Sequence, residues 1–226
     1  MKKFLFTIGM LFLLTICQGQ LIKIEHKTVY PFWINLPEKS ILYDKPPLLI
    51  FLHGKSLSGT DLNRVKRYGV LSAIEKGRKT PAIVIAPQLV NGSWDADKVF
   101  EIVKYVQKQY PIDSTRIYVC GMSLGGYGAL TLASKYHQKI TAAVSICGGG
   151  YDVNPCNLAK VPLWILHGNL DKAVALSESQ KVVNSIKKCD EKANLKFTII
   201  AGGTHSSVEN LFHQDAIYDW LFAQKK

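Results

Sequence analysis

Apolar runs of four to six residues recur along the chain, separated by stretches in which apolar residues return every three or four positions. Leu48-Leu49-Ile50-Phe51-Leu52 leaves no polar residue to face water, the pattern of a strand buried on both faces of a parallel sheet. Similar runs lie at Ala82–Ala86, Ile117–Cys120, Ala142–Cys147, Leu163–Leu166 and Phe197–Ala201, and alternation in His26–Leu36 predicts an early strand ended by Pro37. Between the runs, Val99, Ile102, Val103 and Val106 set one apolar stripe on a predicted helix that Pro111 closes. Leu176, Val183 and Ile186 mark a second helix, and Phe212, Ala216 and Trp220 a final amphipathic one. Strands alternating with helices need crossover connections, hence an α/β fold with a mostly parallel sheet flanked by helices on both faces. Such sheets carry their ligand sites at the carboxyl ends of the strands, so chemistry is sought just after each run.

Composition narrows the class without changing that outline. The 226 residues are 47% hydrophobic and 20% charged, with no repeat, linker or biased tract, which excludes a disordered, collagen-like or coiled-coil chain. The first residues are different in kind. Lys2 and Lys3 precede an apolar run from Phe4 to Ile16 and then Cys17-Gln18-Gly19-Gln20, the layout of a secretory signal peptide and too short to span a bilayer. We therefore expect residues 1–19 to be removed, an exported (periplasmic or extracellular) single domain over residues 20–226, and no stable membrane insertion afterwards. Lipid attachment at Cys17 is the lesser alternative, because Ile16 is bulkier than lipoprotein signals favour. The formal charge is +11, yet the lysines are scattered and no block interleaves them with aromatics. They read as solvated surface, and the absence of helix-turn-helix, RNP or zinc-finger patterns speaks against a nucleic-acid partner. Six histidines and five cysteines show no metal-ligand spacing, so neither metal nor cofactor is expected.

Four strand ends carry recognisable groups. After Ile117–Cys120 comes Gly121-Met122-Ser123-Leu124-Gly125, a G-x-S-x-G between a predicted strand and a predicted helix. A serine in such an elbow sits in a strained turn, and its glycines remove side chains that would collide with neighbouring backbone. Serine is a poor nucleophile at neutral pH and needs a base, which in turn needs an orienting partner. After Leu163–Leu166 the chain reads His167-Gly168-Asn169-Leu170-Asp171, and after Phe197–Ala201 it reads Gly202-Gly203-Thr204-His205. The order Ser123, Asp171, His205 is the Ser…Asp…His order of α/β-hydrolases.

With Leu52-His53-Gly54, Gly121–Gly126, His167-Gly168-x-x-Asp171-x-x-Val174 and Gly202-x-x-His205 in place, the chain resembles the α/β-hydrolase superfamily over nearly all of residues 20–226. It looks most like the compact esterases and predicted peptidases related to dienelactone hydrolases, phospholipase/carboxylesterases and prolyl oligopeptidase catalytic domains. The resemblance implies Ser123 as nucleophile, His205 as base and Asp171 as orienter. An acyl-transfer intermediate needs backbone N–H donors for its oxyanion. One is expected at Leu124, and the family pattern puts the other at Lys55, where many relatives have a small or apolar residue. Ala175 replaces a proline common in relatives. Trp94 is a candidate wall of the substrate pocket by the same resemblance, or else a core aromatic. His53 and His167 read as loop-shaping residues and are the lesser candidates for the base. In an oxidising compartment Cys156 and Cys189 are a candidate disulfide, whereas Cys120 and Cys147 read as buried hydrophobes. The connection Gly148–Pro162 is too short and too rich in Gly, Asn and Pro for a lid, so no cap domain is expected. The resulting expectation is a serine hydrolase for small-molecule or polysaccharide-linked carboxylic esters. A peptidase or amidase with the same triad, and a non-catalytic binding module on the same fold, are the alternatives.

Overall fold

The computed structural model describes residues 20–38, 41 and 44–226, so the expected signal segment and Cys17 lie outside the described residues. Eight strands form one sheet: β1 (Gln20–Ile24), β2 (Phe32–Leu36), β3 (Leu48–Leu52), β4 (Ile83–Pro87), β5 (Ile117–Met122), β6 (Ala142–Ile146), β7 (Leu163–Gly168) and β8 (Leu195–Ile200). Their order is β1-β2-β4-β3-β5-β6-β7-β8, with β3 to β8 parallel and β1 and β2 joined antiparallel at one edge. The described helices are α1 (Val70–Glu75), α2 (Ala96–Gln109), α3 (Leu124–Lys135), α4 (Pro155–Leu158), α5 (Leu176–Cys189) and α6 (Ala216–Ala223).

The two-residue period of each buried strand splits the core in two. Leu48, Ile50 and Leu52 of β3 join Val99, Ile102, Val103 and Val106 of α2 and the apolar faces of α3 and α5 on one side. Leu49 and Phe51 join Val70 and Leu71 of α1 and Ile217, Tyr218 and Leu221 of α6 on the other. A strand covered on both faces must be apolar throughout, which is why these runs carry no alternation.

Three expectations need correction. The early strand is confined to Phe32–Leu36, and a separate strand precedes it at Gln20–Ile24. That edge strand half-buries Leu21, Ile22 and Ile24 while Gln20 and Lys23 face solvent, and its pairing with β2 holds it at the sheet edge. The last helix buries Ile217, Tyr218 and Leu221, while Ala216 is exposed; Phe212 is buried from a separate 3-10 segment, Ser207–His213. Extended backbone at Gln214 interrupts the spiral, so the phase set by Phe212 does not carry into α6. Finally, β8 is an edge strand over Leu195–Ile200 whose Lys196 and Ile199 are exposed, so the apolar run at Phe197–Ala201 is not buried on both faces as in the central strands.

Between β6 and β7 the chain makes only the single turn of α4. Cys156 on that turn is bonded to Cys189 at the end of α5, with Cα atoms 5.1 Å apart.

Candidate active site

Ser123 occupies the turn between β5 and α3 with φ 57° and ψ −124°, a region that non-glycine residues rarely occupy and that costs about 1–3 kcal/mol. Two contacts explain the flanking glycines. A Cβ at Gly121 would run into the carbonyl of Gly125, and one at Gly125 into the carbonyl of Leu52. The elbow is pinned from outside as well, because Ser123 N donates to Ile146 O at 2.8 Å.

The loops after β7 and β8 are tied together, Leu170 N donating to Gly203 O at 2.9 Å and Gly202 N to Asn169 Oδ1 at 2.8 Å. This brings His205 Nδ1 within 2.7 Å of Asp171 Oδ2. The carboxylate side chain is fully buried, while His205 keeps 26% of its side chain exposed. Asp171 Oδ1 accepts the N–H groups of Ala173 at 2.8 Å and Val174 at 2.9 Å. Burial pushes the Asp171 carboxyl upward, but the Val174 N–H, the His205 ring, the Cys147 thiol and the Ala173 N–H together hold it below the ordinary aspartate range. Ser123 and His205 line the same cavity of about 770 Å³, which also touches Gly54, Lys55, Tyr68 and Tyr127. Among the described residues His205 bonds to Asp171, and no hydrogen bond joins its ring to Ser123.

Leu124 and Lys55 each begin a helical segment, so their N–H groups lack an intrahelical acceptor, and both residues line this cavity. The loop bearing Lys55 is held from behind. His53 Nδ1 donates to Gly54 O at 2.8 Å, and Leu89 N donates to His53 Nε2 at 3.1 Å. Burial, reinforced by the positive Arg64, lowers the His53 pKa to about 4 despite the Gly54 carbonyl, so the ring is neutral with both nitrogens engaged. Trp94 is not in the cavity wall. It is buried against His53 and Tyr30, and its Nε1 donates to His53 O at 3.1 Å, which supports the Gly54–Lys55 loop from the core. His167 is likewise buried, with Nδ1 2.7 Å from Ser179 Oγ and Nε2 3.0 Å from Val174 O.

Several cavity residues have no counterpart among the sequence candidates. Tyr68 accepts the Gly54 N–H on its hydroxyl at 3.0 Å. Tyr127 stacks on Tyr151, ring centroids 4.3 Å apart. Tyr127 lies one helical turn beyond Ser123, a spacing that could have revealed it; Tyr68 and Tyr151 sit in irregular segments with no period to read. Cys147, His167 and Asp171 each bring one ligand-type atom within 4.8 Å of the others. Their nitrogen and oxygen atoms are already bonded to protein groups, which makes them a hydrogen-bonded cluster.

A parallel sheet with a serine elbow after β5, an acid after β7 and a histidine after β8 defines an α/β-hydrolase. More specifically, the phospholipase/carboxylesterase family matches residues 93–219, more than half of the chain, and the protein belongs to that family. Among curated proteins it is similar to a hydrolase, acrC, of Aspergillus aculeatus, 36% identical over 90 residues, covering 39% of this chain and 20% of that one. It is also similar to the bifunctional acetylxylan esterase/xylanase XynS20E of Neocallimastix patriciarum, 26% identical over 111 residues, covering 47% of this chain and 16% of that one. The chain thus spans about one fifth or less of the length of these relatives. Among solved structures, a thermostable esterase superposes with a TM-score of 0.74 at 24% identity, covering 93% of this chain and 64% of that one. The feruloyl esterase module of Clostridium thermocellum superposes with a TM-score of 0.66 at 16% identity, covering 87% and 86%.

Proposed function

We propose that the protein is an exported serine hydrolase that cleaves carboxylic esters through an acyl-enzyme on Ser123. The observation that carries this reading is the His205–Asp171 pair, 2.7 Å apart, on the wall of the cavity that also holds the strained Ser123. His205 takes the Ser123 hydroxyl proton as Oγ attacks the acyl carbonyl, and Asp171 orients the ring and stabilises the imidazolium that forms. The N–H groups of Leu124 and Lys55 receive the oxyanion, a stabilisation that grows as charge develops. His205 then protonates the departing alcohol. Water repeats the sequence in reverse, releasing the acid and restoring Ser123.

The uncapped cavity favours short acyl groups, or esters displayed on a larger polymer. Relatives named for acetylxylan and feruloyl ester hydrolysis support the second form, a polysaccharide-linked ester. The apolar leader and the Cys156–Cys189 pair support export, because disulfides persist in oxidising compartments.

The test is a panel of p-nitrophenyl esters, acetylated and feruloylated sugars, lysophospholipids and aminoacyl anilides, run beside fluorophosphonate labelling. Ester turnover with labelling at Ser123, both abolished in Ser123→Ala, is the expected result. Turnover of the anilides alone would move the protein to the peptidases, and retained turnover in Ser123→Ala would remove the nucleophile.

A further inference from the structure

Two buried groups beside Asp171 have no part in the steps above. His167, at the end of β7, is fully buried, and its Nε2 faces acceptors, Val174 O at 3.0 Å and Asp171 Oδ2 at 3.4 Å. Its N–H on that side therefore donates toward the acid and toward the loop that carries it. On the far side, Nδ1 lies 2.7 Å from the buried Ser179 hydroxyl of α5, and that hydroxyl lies 2.7 Å from Gly148 O, so its single proton is shared between two acceptors in reach. Cys147, buried just after β6 with φ 48°, brings its thiol within 4.8 Å of the Asp171 carboxylate. Burial, with the neighbouring carboxylate, pushes this thiol up to about 12, so it adds no second negative charge beside Asp171.

We propose that His167 is a positioning residue that locks the Asp171 carboxylate against His205, through a buried chain running from Gly148 through Ser179 and His167 to Asp171. This rests on the triad reading above. The Ala173 and Val174 N–H groups fix Oδ1 and His205 engages Oδ2. The His167 ring, 3.4 Å from Oδ2 and bonded to Val174 O, narrows the remaining rotation of the carboxylate about its last torsion and holds the loop that supplies the Val174 N–H. The anchor lies outside the acid loop, on β6 and α5. It therefore transmits the rigidity of the sheet to a residue that otherwise belongs to an exposed turn.

The experiment is a double-mutant cycle between His167 and Asp171 on the intact chain, with kcat and KM measured separately for one ester. His167→Leu is expected to lower kcat by about 10- to 100-fold, the range for outer partners of functional side chains, with KM changed less than about twofold. His167→Gln, which keeps a donor near the Nε2 position, should recover most of the loss. In an Asp171→Asn background, His167→Leu should have almost no further effect, because its route to the reaction is gone. Ser179→Ala supplies the same test more gently if His167→Leu does not fold, with a smaller fall in kcat at constant KM. Undiminished kcat in folded His167→Leu or in Ser179→Ala, or a full multiplicative loss in the Asp171→Asn background, would overturn the proposal alone. An unimpaired Asp171→Asn enzyme would instead overturn the triad reading, and the positioning role with it.

Discussion

Replacing Trp94 separates two roles that its position near the site could suggest. The indole is 6% exposed, sits edge-on to His53 with centroids 4.9 Å apart and to Tyr30 at 5.5 Å, and donates Nε1–H to His53 O. Trp94→Phe keeps an aromatic edge for both neighbours but removes the donor. Losing the partner of a buried carbonyl costs about 1–3 kcal/mol. Trp94→Ala adds a cavity and should cost about 3–5 kcal/mol, a large part of the roughly 5–15 kcal/mol that holds a domain folded. The freed carbonyl belongs to the residue before Gly54, so the Gly54–Lys55 loop should loosen. Outright loss of an oxyanion donor costs about 10²–10³-fold in kcat, and a loosened one is expected to cost about tenfold. Because Trp94 does not line the cavity, KM for acetyl and butyryl p-nitrophenyl esters should remain within about twofold and show no dependence on acyl length. Urea denaturation gives the stability change, and initial-rate kinetics on the two esters give the rest. A Trp94→Phe protein as stable as the parent, or one whose KM shifts with acyl length, would refute the support role and return Trp94 to the pocket wall.

Stability should depend on His53 below neutral pH. Its folded pKa, about 4, lies below the ordinary histidine value, so its contribution is complete above about pH 6.5 and is lost as pH falls toward 4, by about 2–3 kcal/mol at pH 4.5. Denaturation midpoints between pH 7 and 4.5 check this, and His53→Gln should flatten the decline; an equal slope in the variant would remove His53 as its source. Reducing Cys156–Cys189 opens a loop spanning 33 residues and should lower stability by about 3–4 kcal/mol, while room-temperature turnover persists, because the bond lies outside the cavity lining. Thermal melts with and without reductant measure the loss, and coincident melts would show that the bond contributes nothing. With only α4 between β6 and β7, methylenes beyond the cavity stay in water and forfeit about 0.8 kcal/mol each, so kcat/KM should peak at acetyl or butyryl esters. A rise from octanoyl to palmitoyl would contradict the open site.

The class of fold, and the strand ends at which Ser123, Asp171 and His205 sit, were legible from local pattern. Unbroken apolar runs such as Leu48–Leu52 follow from burial on both faces of a sheet, and helices such as α2 follow from a stripe at the helical period. Gly121 and Gly125 are dictated by a turn so tight that only backbone fits, and topology carries the residues after β5, β7 and β8 to one edge. All of these are properties of short segments plus a rule of connection. What the tertiary structure decided depends on side chains far apart in sequence. Trp94 lies behind the Gly54–Lys55 loop, outside the cavity, where its indole meets His53 and Tyr30, and no spacing along the chain encodes which side of a backbone an indole reaches. The edge strand β1 takes its place from pairing with β2, and its short Gln20–Ile24 segment is only partly buried. Tyr68 and Tyr151 reach the cavity from irregular segments, and His167 comes to stand behind Asp171 only because β6, β7 and α5 meet there. Periodicity records how much of a residue is buried; only the packed fold determines against what.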